Sequence, residues 1–140
     1  MSFKEKSTWV MLIALLITAV PYLLNVVELS DGYQLPPPNL QDLLTFTMTL
    51  IVITVVGYII ISALSSKQAN AKLDERERRI FDRAGKISGY VFGFGVVTSL
   101  LYYLAYSNGN LLFYGVLASL IISQLCEYMI QIYLFRWSVH

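Results

Sequence analysis

Apolar residues in this chain gather into four long blocks, and none of the blocks alternates with the two-residue period of a half-buried strand. They run from about Trp9 to Val27, Leu43 to Leu64, Ile87 to Tyr106 and Leu111 to Phe135. Each approaches or exceeds the ~20 apolar residues that a bilayer core demands. A lone spanning segment must satisfy its own backbone hydrogen bonds in lipid, so helix is the state predicted. A barrel would need many alternating segments of about ten residues. The fold expected is all-α, a single integral membrane domain over residues 1–140 built as a four-helix bundle.

Composition supports that reading. Hydrophobic residues make up 56 % of the 140 residues and charged ones 14 %, with a mean hydropathy of +0.61. A water-soluble domain of this size needs more charge on its surface. The first block follows the basic start FKEK, as a secretory leader would. Its apolar run is too long for a signal core, and Pro21, Tyr22 and Leu23 stand where a small-x-small cleavage site would be wanted. It is read as a retained helix.

The net charge is only +1, but its distribution sets a topology. All ten basic residues fall at Lys4 and Lys6, between Lys67 and Lys86, or at Arg136. The segment between the first two blocks carries Glu28, Asp31 and Asp42 and no Lys or Arg, and the turn SNGN between the last two is uncharged. The positive-inside rule places the loop over about 66–86 in the cytoplasm, and both termini with it. The aromatic residues agree: Trp9 and Trp137 fall at the inner interface, and Tyr22, Tyr102, Tyr103, Tyr106 and Tyr114 toward the outer one. Pro36, Pro37 and Pro38 form a stiff extended spacer outside.

The charged stretch KLDERERRIFDRAGK reads as a solvated helix running into the third span. Asp74 with Arg78, Arg78 with Asp82, Asp82 with Lys86, and Glu75 with Arg79 are all four residues apart, each pair worth about 0.2–0.5 kcal/mol. Leu73, Ile80, Phe81, Ala84 and Ile87 form a narrow apolar stripe on the same helix. Arginines interleaved with the carboxylates would repel a divalent cation, so no metal site is assigned. No sustained basic face or reader motif points to nucleic acid.

DERERRIFDRAGKISGY resembles the Asp-Glu-Arg signature of a family of small multi-span prokaryotic membrane proteins of unknown function. In that family a D-E-R-x-x-x-I-x-x-[KR]-A pattern leads directly into a membrane helix. Asp74, Glu75, Arg76, Ile80, Arg83 and Ala84 match it in order, over about a fifth of the chain. The resemblance implies the multi-span fold and a bacterial inner-membrane location. It carries no activity.

Within the blocks, polar and small residues mark candidate sites. Gly85, Gly89 and Gly93 repeat every four residues, with Gly95 just after, and give a helix a flat face for a neighbouring span or another copy of the chain. Glu127 lies eight residues before Phe135 and so about 12 Å from the inner end of the fourth span. An acid at that depth has an insertion cost of about 2.5–3.5 kcal/mol and should face protein or water. Gln124, Glu127, Tyr128 and Gln131 share one helix face, with Ser123 at its edge. Thr18, Tyr22 and Asn25 offer a partial counterpart nearer the outer end of the first span, where Pro21 loosens the helix. Thr54, Tyr58 and Ser62 offer another on the second.

Two functions fit these features. The first is a small inner-membrane accessory or regulatory protein that packs with itself or with another membrane protein, with Glu127 protonated in an interhelical hydrogen-bond network. The alternative is an oligomeric proton- or cation-linked transporter or channel centred on a titrating Glu127, since four helices alone barely enclose a cavity. Catalysis is not expected. The only histidine is the terminal His140, Cys126 stands alone in an apolar block, and no nucleophile–base–orienter set or metal cluster exists. No cofactor is implied, and the partners expected are lipid and membrane protein.

Overall fold

The computed structural model of the chain describes residues 3–30, 36–64 and 75–137. These form four helices, and no strand occurs among the described residues. Helix α1 spans Phe3–Leu29, α2 Leu40–Leu64, α3 Glu75–Tyr106 and α4 Gly109–Trp137. All four are long and apolar enough to cross a membrane.

Each helix extends past its apolar block, and capping contacts mark the start of α2, the end of α3 and the start of α4. Asn39 opens α2: its side-chain oxygen accepts from the Gln41 N–H at 3.0 Å and its carbonyl from Leu43 at 3.1 Å. The turn between α3 and α4 is Ser107 and Asn108 alone. Ser107 takes a left-handed φ of 53° and its N–H donates to the Tyr103 carbonyl at 2.6 Å. Asn108 then caps α4, its Oδ1 accepting from Leu111 at 3.2 Å. Helix α3 carries the charged block and the third apolar block without a break from Glu75 onward, 32 residues in all. Asp74 and the rest of the 65–74 connection lie outside the described residues.

The helices run alternately up and down, with the ends of α1 and α4 that lie nearest the chain termini at one end, the termini end, and the α3–α4 turn at the other. Helix α3 packs along α4, α4 packs on α1, and α1 packs on α2. Leu15 and Ala19 of α1 and Ile121 of α4 form the buried centre, with Phe46 and Leu50 of α2 and Leu117, Leu125 and Tyr128 of α4 around it. Helix α2 has no buried residue. Its outer face shows Met48, Ile51, Val52, Val55 and Ile59, each at least half exposed.

The α3–α4 seam relies on small residues, but not on those singled out by spacing. A methyl on Gly85, Gly89 or Gly93 would meet no atom within 4 Å, so that stripe packs against no other helix of this chain. The seam lies one residue over, through Ile80, Ala84, Ser88, Gly95 and Ser99. Gly95 sits against Ser119 of α4, and Gly115 of α4 sits against Ser99 in reciprocal fashion. Ser99 and Ser119 donate to their own helix at Gly95 O (2.9 Å) and Gly115 O (2.7 Å). Their polarity is satisfied locally, so toward the partner helix they act as small side chains.

Candidate functional site

The polar residues of α4 meet partners toward the termini end. Gln131, 4 % exposed, accepts at Oε1 from the Thr8 hydroxyl of α1 at 3.0 Å. Its Nε2 donates to Glu127 Oε1 over a long 3.4 Å, one turn back on the same helix. Glu127 Oε2 accepts from the Ser88 hydroxyl of α3 at 3.2 Å. One chain of contacts thus joins α1, α4 and α3 through a carboxylate within an apolar helix.

Further contacts close the same end. Arg136 in the last turn of α4 donates from Nε to Glu5 Oε1 at 3.3 Å and lies over the Trp9 ring at 5.7 Å. Glu5 is buried, and the pair suits both helix ends, an acid in a first turn and a base in a last. Arg76 of α3 donates to the Phe135 carbonyl at 2.9 Å, and the Phe81 and Phe135 rings meet edge-to-face at 5.9 Å. A helix leaves its last carbonyls without intrahelical donors, so Arg76 caps the C-terminus of α4. Ile80 and Ala84 lie one and two turns on, at 4 % and 0 % exposure. Arg76, Ile80 and Ala84 of the Asp-Glu-Arg pattern therefore form the face that docks α3 on α4, while Arg83 is exposed. Glu75 and Arg79 pair at 3.6 Å in the open. Arg78 with Asp82 and Asp82 with Lys86 form no ion pair among the described residues.

A groove of about 440 Å³ opens beside the network and takes lining from every helix: Lys4 and Thr8 from α1, Tyr58 from α2, Phe81 from α3, and Gln124, Glu127, Tyr128 and Gln131 from α4. A second groove, of about 420 Å³, lies toward the opposite end between α1 and α2, where Tyr22, Asn25, Gln41 and Asp42 line it with Thr18 and Thr45. Leu15, Ala19 and Ile121 are buried between the two levels.

No protein-family model, curated protein or solved structure matches the chain.

Gln124, Glu127, Tyr128 and Gln131 do share one face, as their spacing predicts. Tyr22 and Asn25 do not reach it. Helices α1 and α4 are antiparallel, and Gln131 meets Thr8. Tyr22 lies 14 residues further along α1, about 21 Å away at 1.5 Å per residue, in the other groove. Thr8 and Ser88 are the partners that spacing did not single out. Thr8 falls just before the apolar block, among charged residues, and Ser88 falls between two glycines of the more conspicuous repeat. A usable signal existed: Ala84, Ser88, Gly95 and Ser99 are small residues on one face of α3. Among the described residues no group of three or more His, Cys, Asp or Glu is placed to hold a metal, and Cys126 is half-buried.

Proposed function

We propose that the chain is a multi-pass protein of a bacterial inner membrane, with both termini cytoplasmic. It would act without catalysis, as an accessory or regulatory subunit assembled with itself or with another membrane protein. Four helices long and apolar enough to span a bilayer support the placement, and the location of the basic residues supports its direction. The observation that carries the functional reading is the clasp at the termini end. Thr8, Gln131, Glu127 and Ser88 engage one another, while α2 contributes no buried residue and leaves a long apolar face uncovered. Polar groups used this way hold helices together.

The test is extraction of the full chain from membranes in mild detergent, followed by its mass and its co-purifying proteins. A defined oligomer or a stoichiometric second membrane protein is expected. A bare monomer at native expression level, or a chain that stays dispersed without detergent, overturns the reading.

The two grooves favour a second reading, the oligomeric proton- or cation-linked transporter, because each level contains a carboxylate, Asp42 in one and Glu127 in the other. It requires a path through the layer of Leu15, Ala19 and Ile121. Proteoliposome flux that Glu127→Gln abolishes would support it, and absence of flux in the unaltered protein would remove it.

A further inference from the structure

We infer that the groove at the termini end is a binding site for an amphiphilic organic cation, an ammonium group carried on an apolar body. Glu127 would pair with the nitrogen, and Tyr58, Phe81 and Tyr128 would receive the rest. Four observations lead there. Glu75 pairs with Arg79 and Glu5 with Arg136, and Glu127 belongs to neither pair. Its hydrogen bonds, at 3.2 and 3.4 Å, are long and leave acceptor positions on both oxygens open, since a carboxylate offers about four. The groove holds about 440 Å³, room for a small apolar body, and three aromatic rings line it together with the carboxylate. Tyrosine and phenylalanine faces attract a cation, and more strongly where water is scarce. A carboxylate beside aromatic faces, in a groove formed by helices apolar enough for lipid, matches a hydrophobic ammonium better than a metal ion or an anion. Lys4 also lines the groove. Its Nζ lies over the Phe3 ring at 5.5 Å, and its Cα is one turn nearer the chain start than Thr8. Its ammonium forms no ion pair with Glu127.

The inference rests on the membrane placement proposed above and is independent of the accessory role. An ammonium of this kind can come from a lipid headgroup or from a free amphiphilic amine. The experiment uses the full chain in nanodiscs of phosphatidylglycerol and an uncharged glycolipid, which hold no ammonium, titrated calorimetrically with octylammonium, with octanol as the neutral match and with empty discs as background. Saturable octylammonium binding that weakens on the order of tenfold in Glu127→Gln, about one charge-assisted hydrogen bond, is expected. Octanol should not distinguish the two proteins. Discs that also contain phosphatidylethanolamine identify the source: competition with octylammonium indicates the lipid, and unchanged binding indicates the free amine. Should Glu127→Gln fail to fold, Tyr58→Leu, on an exposed position, must weaken octylammonium binding several-fold. Equal binding by all proteins, or equal affinity for octanol and octylammonium, overturns the inference. A chain that will not enter discs overturns the membrane placement as well, whereas insertion without amine binding overturns this inference alone.

Discussion

A methyl group on Gly95 should force α3 and α4 apart. In the Gly95→Ala protein the new carbon would lie 2.7 Å from Ser119 Cβ and 3.5 Å from Ser119 Cα, and it would meet the hydroxyl oxygen as well. Non-bonded carbons settle about 3.5–4.0 Å apart, so the first contact is too close by about 1 Å. Rotating Ser119 moves its hydroxyl but not its Cβ, whose position the backbone fixes. The helices must therefore separate along the seam that also seats Ser99 against Gly115 and Ser88 against Glu127. Overpacking of this kind costs about 1–3 kcal/mol. The assay is reversible unfolding in mixed micelles with increasing SDS, followed by circular dichroism. Ser119→Gly removes the obstructing carbon, so the double variant should recover most of the loss, with a coupling of about 1 kcal/mol or more. Gly89→Ala serves as control, because nothing stands within 4 Å of its methyl. Unaltered stability in Gly95→Ala, or a loss that Ser119→Gly does not relieve, refutes the seam.

Arg76→Ala should loosen the end of α4, where Arg76 donates to Phe135 O at 2.9 Å. A loss of about 1 kcal/mol is expected after allowance for exposure, read as faster amide exchange in the last turn of α4 and absent in Arg83→Ala. Ser107→Gly should stabilise the α3–α4 turn by up to about 1 kcal/mol, because φ of 53° is strained for a residue with a Cβ, and Asn108→Ala should cost about 1 kcal/mol as the α4 cap is lost; unfolding midpoints decide both. Thr8→Val keeps shape and removes the bond to Gln131, for an expected cost of about 0.6 kcal/mol in the same SDS titration.

The helices were legible because their signal is length: an apolar block long enough to span lipid has one economical backbone state. Their ends were less so. The start of α2 at Leu40 depends on Asn39, a capping residue that a hydropathy reading passes over. The face of Glu127 was legible from the 3.6-residue period. Its partners were not, because they depend on the relative height of antiparallel helices, which periodicity does not encode. That height put Thr8 beside Gln131 and left Tyr22 about 21 Å and Asn25 about 26 Å further along α1, in a groove of their own. The glycine repeat marks no contact within the chain, for a related reason. Gly85, Gly89 and Gly93 specify a flat face, but which face turns inward is decided by the heavier neighbours Ile80, Ala84 and Ser88, one residue out of phase.

Between Thr8 and Ser88 there are more acceptors than hydrogens. The single hydroxyl hydrogen of Thr8 has the Lys4 carbonyl at 2.9 Å and Gln131 Oε1 at 3.0 Å within reach. That of Ser88 has the Gly85 carbonyl at 3.0 Å and Glu127 Oε2 at 3.2 Å. Each donates once. When Thr8 serves its own helix, turning the Gln131 amide over presents Nε2 to the Thr8 oxygen and brings Oε1 against Glu127 Oε1. That second contact is a hydrogen bond only if Glu127 holds a proton, so the same side chains serve the acid in either form. Glutamine at position 127 should therefore preserve the clasp, since its amide can donate to Gln131 and accept from Ser88. Leucine there should strand both. If the carboxylate matters only as a clasp, Glu127→Gln leaves assembly and stability close to those of the unaltered chain, and Glu127→Leu loses both. If its charge matters, Glu127→Gln keeps assembly but weakens ammonium binding or abolishes flux, a separation that a purely structural acid would not produce.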